Sequence, residues 1–184
     1  MAIRDILIYP DATLLKVAEA VQDPTSEEIQ TLVQDMAETM YDAPGVGLAA
    51  PQVGVSLRLA VTDTEWRSGR YEDEDEGKPE EPKKNLKVWI NPEFIWKSDT
   101  TAVHEEGCLS VPEVYEDVER PDAVRLRWQD LEGVQHEQLF EGFEAVALQH
   151  EFDHLDGKLF VDYLSPLKRN MIRKKMKKHY GVGK

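Results

Sequence analysis

The sequence predicts an α+β protein in which antiparallel or mixed sheets pack around a central, histidine-bearing helix, with a further helix at the C-terminus. Three observations lead there. Ile29, Leu32, Val33, Met36 and Met40 recur at helical spacing and mark a first helix. Strand-like alternation then returns at 57–63, 87–95, 123–129 and 134–140. A second helical stretch at 141–156 places Phe143, Val146, Ala147 and His150 on one face. Helices at the ends and hairpin-spaced strands between them fit α+β better than a repeating β-α-β pattern.

The elements follow in order. The first helix is expected over 24–41, opened by a capping box in which Thr25 is the cap and Glu28 stands three residues on. Asp42-Ala-Pro-Gly45 breaks it. The small-residue run Gly45-Val-Gly-Leu-Ala-Ala-Pro-Gln-Val-Gly54 suits close backbone packing rather than regular helix. Asp130-Leu-Glu-Gly133 turns the last two strands into a hairpin. The segment 72–81 holds seven acids with Gly77 and Pro79, and reads as a solvated loop without the ligand spacing of a calcium-binding loop. Gly157 suits the C-terminal cap of the second long helix, and Ser165-Pro166 opens a last helix over 167–180.

The 184 residues imply one domain, with residues 1–167 as the catalytic body and 168–184 as a basic helical tail of the same domain. No apolar run approaches the roughly 18 residues of a membrane span, and the N-terminus lacks a basic-then-apolar leader. Cys108 is the single cysteine, which rules out an intramolecular disulfide and fits a reducing cytoplasm. Formal net charge is −14, unevenly spread. Eight of the 22 bases lie in residues 165–184, which hold no acid, so the preceding 164 residues carry 14 bases against all 36 acids.

The chemistry concentrates in Gln-His-Glu-Phe-Asp-His at 149–154. On a helix, His150 and His154 stand one turn apart on one face and can hold a single divalent metal. Glu151 lies beside the first of them, where it can handle a proton of water. An ordinary helix carrying two of the five histidines is the plain alternative. The apolar residues preceding them argue against it, because they pull the charged groups toward the core, where a buried carboxylate needs a partner. The pattern reads as a metal hydrolase.

A catalytic metal takes three protein ligands. Gly157 stands where a metzincin protease would have it, but Phe160 occupies the position of that family's third ligand. Asp156, Asp162 and Cys108 remain as donors. Cys108 is flanked by Gly107 and Pro112, on an irregular or edge segment rather than in plain core. An endopeptidase with an acidic third ligand would survive Cys108→Ala; a thiolate-ligated hydrolase would not. A binding protein with a vestigial site is disfavoured, since every side chain the chemistry needs is present.

Gly45-Val-Gly-Leu-Ala-Ala-Pro-Gln52, Glu106-Gly-Cys-Leu-Ser110 and Gln149-His-Glu-Phe-Asp-His154, in that order and at these separations, resemble peptide deformylase. Ile8-Tyr-Pro-Asp-Ala-Thr-Leu14 and Asp156-Gly-Lys-Leu-Phe160 extend the resemblance through most of the chain, with the 72–81 insert as an addition. The resemblance implies hydrolytic removal of the formyl group from the N-terminal formyl-methionine of new polypeptides. It makes Cys108, His150 and His154 the metal ligands and Glu151 the general acid/base. Gln52 and the backbone N–H of Leu109 become the oxyanion donors. Such an ion lowers the pKa of water from near 16 towards about 7. Each oxyanion donor is worth roughly 3 kcal/mol in comparable sites. Fe²⁺ is the implied ion, though a Cys-His-His set also accepts Zn²⁺, Ni²⁺ or Co²⁺.

An extended formyl-methionyl peptide would pair its backbone with Val46, Gly47 and Gly107 by strand addition. Val46, Phe143 and Val146 would line an apolar pocket for the methionine side chain. His104 and Tyr115 depart from the family pattern near that pocket and bear on side-chain preference. Glu106 and Arg120 are expected to pair beside the site. The basic tail matches RNA phosphate, and the resemblance implies docking at the ribosome near emerging chains. Neither a membrane nor DNA is an expected partner.

Overall fold

The computed structural model describes residues 2–68 and 83–182, so the expectation for the acidic insert at 72–81 lies outside the described residues. Helix α1 (Glu27–Asp42) leads into strand β1 (Gly47–Ala49), a short 3₁₀ turn (Ala50–Val53) and β2 (Leu59–Thr62). A one-turn helix α2 (Glu65–Ser68) precedes the insert. Beyond it come β3 (Lys87–Lys97), β4 (Thr101–Cys108), β5 (Val111–Pro121), β6 (Ala123–Gln129) and β7 (Gln135–Glu141). Helices α3 (Gly142–Leu155) and α4 (Pro166–Tyr180) complete the α+β fold.

Five strands form one antiparallel sheet in the order β1-β2-β3-β6-β7, while β4 and β5 form a separate two-stranded ribbon. Helix α3 touches β1, β2, β6 and β7 of the sheet and β5 of the ribbon. All of its residues from Ala145 to Leu155 are buried. Leu148, Phe152 and Leu155 pack on Trp89, Val124, Leu126 and Phe140 of the large sheet. That leaves a second face of α3 for the ribbon, where an apolar filling would be normal and two histidines stand instead. Gly157 follows the helix at φ +71°, and a Cβ there would lie 2.7 Å from the Leu15 carbonyl oxygen, so only glycine ends the helix at this point.

Helix α1 buries Ile29, Leu32, Val33, Met36 and Met40 against Leu48, Leu59, Val61 and Ile90. Each such side chain contributes about 1.5–3 kcal/mol on full burial. Its cap differs from the sequence expectation. Ser26, not Thr25, accepts from the Ile29 N–H, because Thr25 Oγ1 donates to Asp23 at 2.6 Å and is held in the preceding turn. The β4–β5 ribbon was not expected from the sequence either. Its register breaks only at the turn end, between Gly107 and Cys108, where Cys108 pairs with Val111 and Gly107 with Tyr115, and it buries only Glu106, Val111, Val118 and Arg120, so no apolar alternation marks it in the sequence. Helix α4 opens at Pro166 with Ser165 as cap and packs Ile172 and Met176 against Leu14, Phe160 and Val161.

Candidate metal centre and cavity

Cys108 ends β4, while His150 and His154 lie one turn apart on α3. One donor atom from each of the three falls within 4.8 Å of the others. Cys108 Sγ and His154 Nε2 are 3.3 Å apart, and the two imidazole rings meet edge to face at 5.3 Å. The other donors weighed from the sequence stand elsewhere. Asp156 is on the surface with Arg58 at 3.0 Å, and Asp162 accepts from the Leu159 N–H at 3.0 Å. Phe160 stacks on the His150 ring, with centroids 6.1 Å apart, and supplies packing where a metzincin would supply a ligand.

Buried acids and bases surround this cluster and fix its orientation. Glu106 accepts from Arg120 Nε at 2.6 Å and Nη2 at 2.9 Å, the fork-to-fork pairing that suits guanidinium and carboxylate. Burial alone would raise the Glu106 pKa, but the bonds from His150 and Arg120 outweigh it and hold the carboxyl below its ordinary value. A deprotonated Glu106 can only accept, so His150 Nδ1 donates to it at 2.8 Å and Nε2 is left for the metal cluster. Arg120 Nη1 also reaches Asp153 at 2.8 Å, and Tyr163 donates its hydroxyl to the same Asp153 oxygen at 2.8 Å. The expected Glu106–Arg120 pair is therefore present. Its extension to Asp153 and Tyr163 was missed, since nothing in the sequence links residue 120 to residue 163.

Glu151 occupies the neighbouring position on α3. It is buried, Oε2 has no hydrogen-bond partner among the described residues, and burial pushes its carboxyl up to about 7. Burial likewise lowers His154 below the usual imidazole range, holding it in the neutral form that ligates metals. For His150 burial acts in the same sense, but the bonds to Cys108 and Glu106 and the charge of Glu151 prevail and raise it. Gln52 is buried in the 3₁₀ turn after β1. Its Oε1 accepts from the Ala49 N–H at 2.8 Å, which fixes the amide so that Nε2 faces Cys108 Sγ at 3.5 Å and Ser110 Oγ at 3.1 Å.

A cavity of about 680 Å³ opens beside the cluster. Val46, Gly47, Gly107, Leu109, Phe143 and Val146 all line it, together with Gln52, His150 and Glu151. Phe143 is half exposed, unlike Val146 and Ala147 on the same helix, and forms an outer wall rather than core. Tyr115 lines the cavity as well, whereas His104 does not: it lies farther along β4, opposite Val118. Ile6 and Trp66 also line it and were not singled out from the sequence, because neither belongs to a motif.

A thiolate and two imidazoles form a donor set that transition metals favour, and the unpartnered carboxylate beside them is placed to serve a water held there. The residues fit one ion.

A family model described as polypeptide deformylase matches residues 3–170. A peptide deformylase of Novosphingobium aromaticivorans is 50% identical over 184 residues, covering 97% of each chain, and one of Afipia carboxidovorans is 52% identical over 178 residues, covering 97% and 96%. The crystal structure of a peptide deformylase from Legionella pneumophila superposes with a TM-score of 0.82 at 46% identity, over 98% of this chain and 97% of that one. One from Ehrlichia chaffeensis in complex with actinonin superposes at 0.84 with 35% identity, over 97% and 98%. With Cys108, His150 and His154 converging beside a buried carboxylate and a cavity, the chain belongs to the peptide deformylase family, metal-dependent hydrolases that remove the N-formyl group from new polypeptides.

Proposed function

We propose that Cys108, His150 and His154 hold one divalent ion, and that formyl-methionyl peptides are hydrolysed there with Glu151 as the proton carrier. The observation that carries this is Glu151 itself, a buried carboxylate with an unpartnered oxygen next to three converging metal donors. When bound, the ion supplies a Lewis acid that makes water nucleophilic near neutral pH. Glu151 takes the proton of the attacking water and returns it to the departing amine. Gln52 Nε2 and the Leu109 N–H donate to the formyl oxygen as it gains charge. Glu106, by accepting from Nδ1, keeps the His150 ring turned so that Nε2 is the nitrogen that would hold the ion.

The peptide lies extended along Val46, Gly47 and Gly107, with its methionine side chain toward Phe143 and Val146. Their place in the cavity lining supports this path. Fe²⁺ is the ion we assign, with Zn²⁺, Ni²⁺ or Co²⁺ able to replace it. Residues 1–167 form the catalytic body, and the basic C-terminal segment 168–184, which includes most of α4, is part of the same domain. It meets ribosomal RNA in the bacterial cytoplasm. No helix among the described residues is long and apolar enough to cross a membrane.

The experiment is formate release from a formyl-methionyl peptide by anaerobically prepared protein, with Glu151→Gln as control. Release in the wild type and none above background in the variant is the expected result. Equal release from both would overturn the assignment of Glu151. Air exposure should then abolish activity in step with loss of iron, and unchanged activity and metal content would overturn Fe²⁺.

A further inference from the structure

The exposure of the cavity lining rises from buried His150, Glu151 and Gln52, through half-buried Ile6 and Trp66, to exposed Pro44 and Tyr115. The chemistry therefore sits at the inner end, and Trp66 stands toward the mouth. A cavity of about 680 Å³ is in the range that takes in a drug-sized ligand, more than one amino-acid side chain needs. Residues that follow the formyl-methionine must also lie within it.

Trp66 is held with unusual firmness for a mouth residue. Asp63, at 1% exposure, accepts from the Trp66 N–H at 2.9 Å through Oδ1. Its Oδ2 accepts from the Tyr41 hydroxyl at 2.7 Å and from the Asn85 N–H at 2.7 Å. One buried carboxylate thus ties the start of α2, the end of α1 and the chain leading into β3. Tyr41 meets Trp66 edge to face, with ring centroids 5.0 Å apart at 70°. The Lys84 ammonium lies over both rings, 4.5 Å from Tyr41 and 5.4 Å from Trp66. A ring positioned in advance loses little freedom when a ligand packs on it, which is how an aromatic wall contributes to selectivity.

We infer that Trp66 is a specificity-determining residue. It forms an apolar wall for the side chain of the second or third residue of the substrate, favouring peptides with a large apolar residue there. Asp63 and Tyr41 act through it as positioning residues. The inference rests on the peptide path proposed above.

The test compares Trp66→Ala, Trp66→Phe and Tyr41→Phe with the wild type on formyl-methionine amide and on formyl-Met-X-Ser and formyl-Met-Ser-X, with X as Gly, Leu or Lys. Trp66→Ala should lose roughly tenfold more in kcat/KM for the Leu peptide of one series than for formyl-methionine amide and the Gly and Lys peptides, with the difference in KM. Trp66→Phe should restore most of the loss. Tyr41→Phe, which removes one hydroxyl, should show a smaller loss of the same selectivity. An equal loss on every substrate, or a loss confined to the Lys peptides, overturns the inference while leaving the reaction standing, as does no loss at all. A wild type that deformylates none of these substrates overturns the proposed reaction and the inference with it.

Discussion

Gly47 and Glu151 are so close that a Cβ built on the glycine would stand 2.7 Å from the Glu151 carboxyl carbon. Strand β1 and helix α3 meet backbone to side chain at this point, and the carboxylate keeps its place only because residue 47 has no side chain. Gly47→Ala should displace the Glu151 carboxylate, the proposed proton carrier, without touching Cys108, His150 or His154. A displacement of about 1 Å costs on the order of 100-fold in rate. The expected result is that loss in kcat with metal content unchanged, read by formate release and metal analysis. A variant within twofold of wild type would show that the position of Glu151 tolerates movement.

Glu106 joins the orientation of His150 to the buried charge of Arg120, so its removal should be felt twice. Glu106→Gln leaves Arg120 with Asp153 alone and turns a charged acceptor into an amide. Loss of such a partner behind a ligating imidazole lowers metal affinity by about 10–100-fold. Because Arg120 keeps Asp153 at 2.8 Å, the loss of stability should stay below the about 3–5 kcal/mol of a buried charge left with no partner. Metal titration and thermal unfolding should therefore move together. A stable variant with wild-type affinity would mean that the ring of His150 is fixed by packing on Phe160 instead.

Much of this site was legible in the chain because its chemistry is local. His150, Glu151 and His154 are set by helical spacing, and the resemblance brought Cys108, Gln52 and Leu109 to them. What stayed hidden depends on distant residues meeting. The link from Glu106 to His150 crosses from ribbon to helix, and Asp153 is joined to Arg120 only because α3 lies beside β5. Trp66 reaches the cavity through Asp63, whose ordinary strand-end sequence carries no signal. The same holds for the fold. The strand at Ala123–Gln129 falls where alternation placed it, while the ribbon escaped because most of its side chains are exposed or half-buried, several of them charged, leaving no apolar alternation to read. Ser26 capped α1 in place of Thr25 because a side chain two residues upstream competed for the threonine hydroxyl.

Asp35 on α1 provides a pH-dependent tie to the N-terminal segment. It accepts from the Ala2 N–H at 2.8 Å and from Arg4 Nε and Nη2 at 3.0 and 2.9 Å. Burial would raise its pKa, but these donors outweigh burial and hold it below the ordinary carboxylate value. A depressed folded-state pKa gives stability that is present above the unfolded value of about 4 and is lost as pH falls through the folded value. Asp35→Asn should therefore unfold at a lower Tm than wild type at pH 7, and the gap should close below about pH 4 as the wild-type carboxyl is protonated. A gap equally wide at pH 7 and pH 3 would assign it to packing rather than charge.

The last helix separates its basic face from its packing face, which decides how its partner should be tested. Ile172 and Met176 are buried in the core with Leu14 and Phe160, so deleting the tail would unseat that core along with the charge. Lys168 is committed to Glu116 at 2.7 Å. Lys174, Lys175 and Lys178 are exposed and have no ion pair among the described residues. Lys177, Lys178 and His179 in the last turn complement the helix dipole, which is sufficient reason for some of this charge without any partner. Binding to RNA makes the stronger claim. Reversing Lys174, Lys175 and Lys178 to Glu should weaken co-sedimentation with ribosomes. The dependence of that association on log salt should flatten by about 0.7–0.9 for each phosphate no longer neutralised. Activity on free formyl peptides should stay within twofold of wild type, because the altered residues lie outside the cavity lining. Unchanged association at every salt concentration would leave the lysines to solubility and the helix dipole, and the ribosome reading would fall.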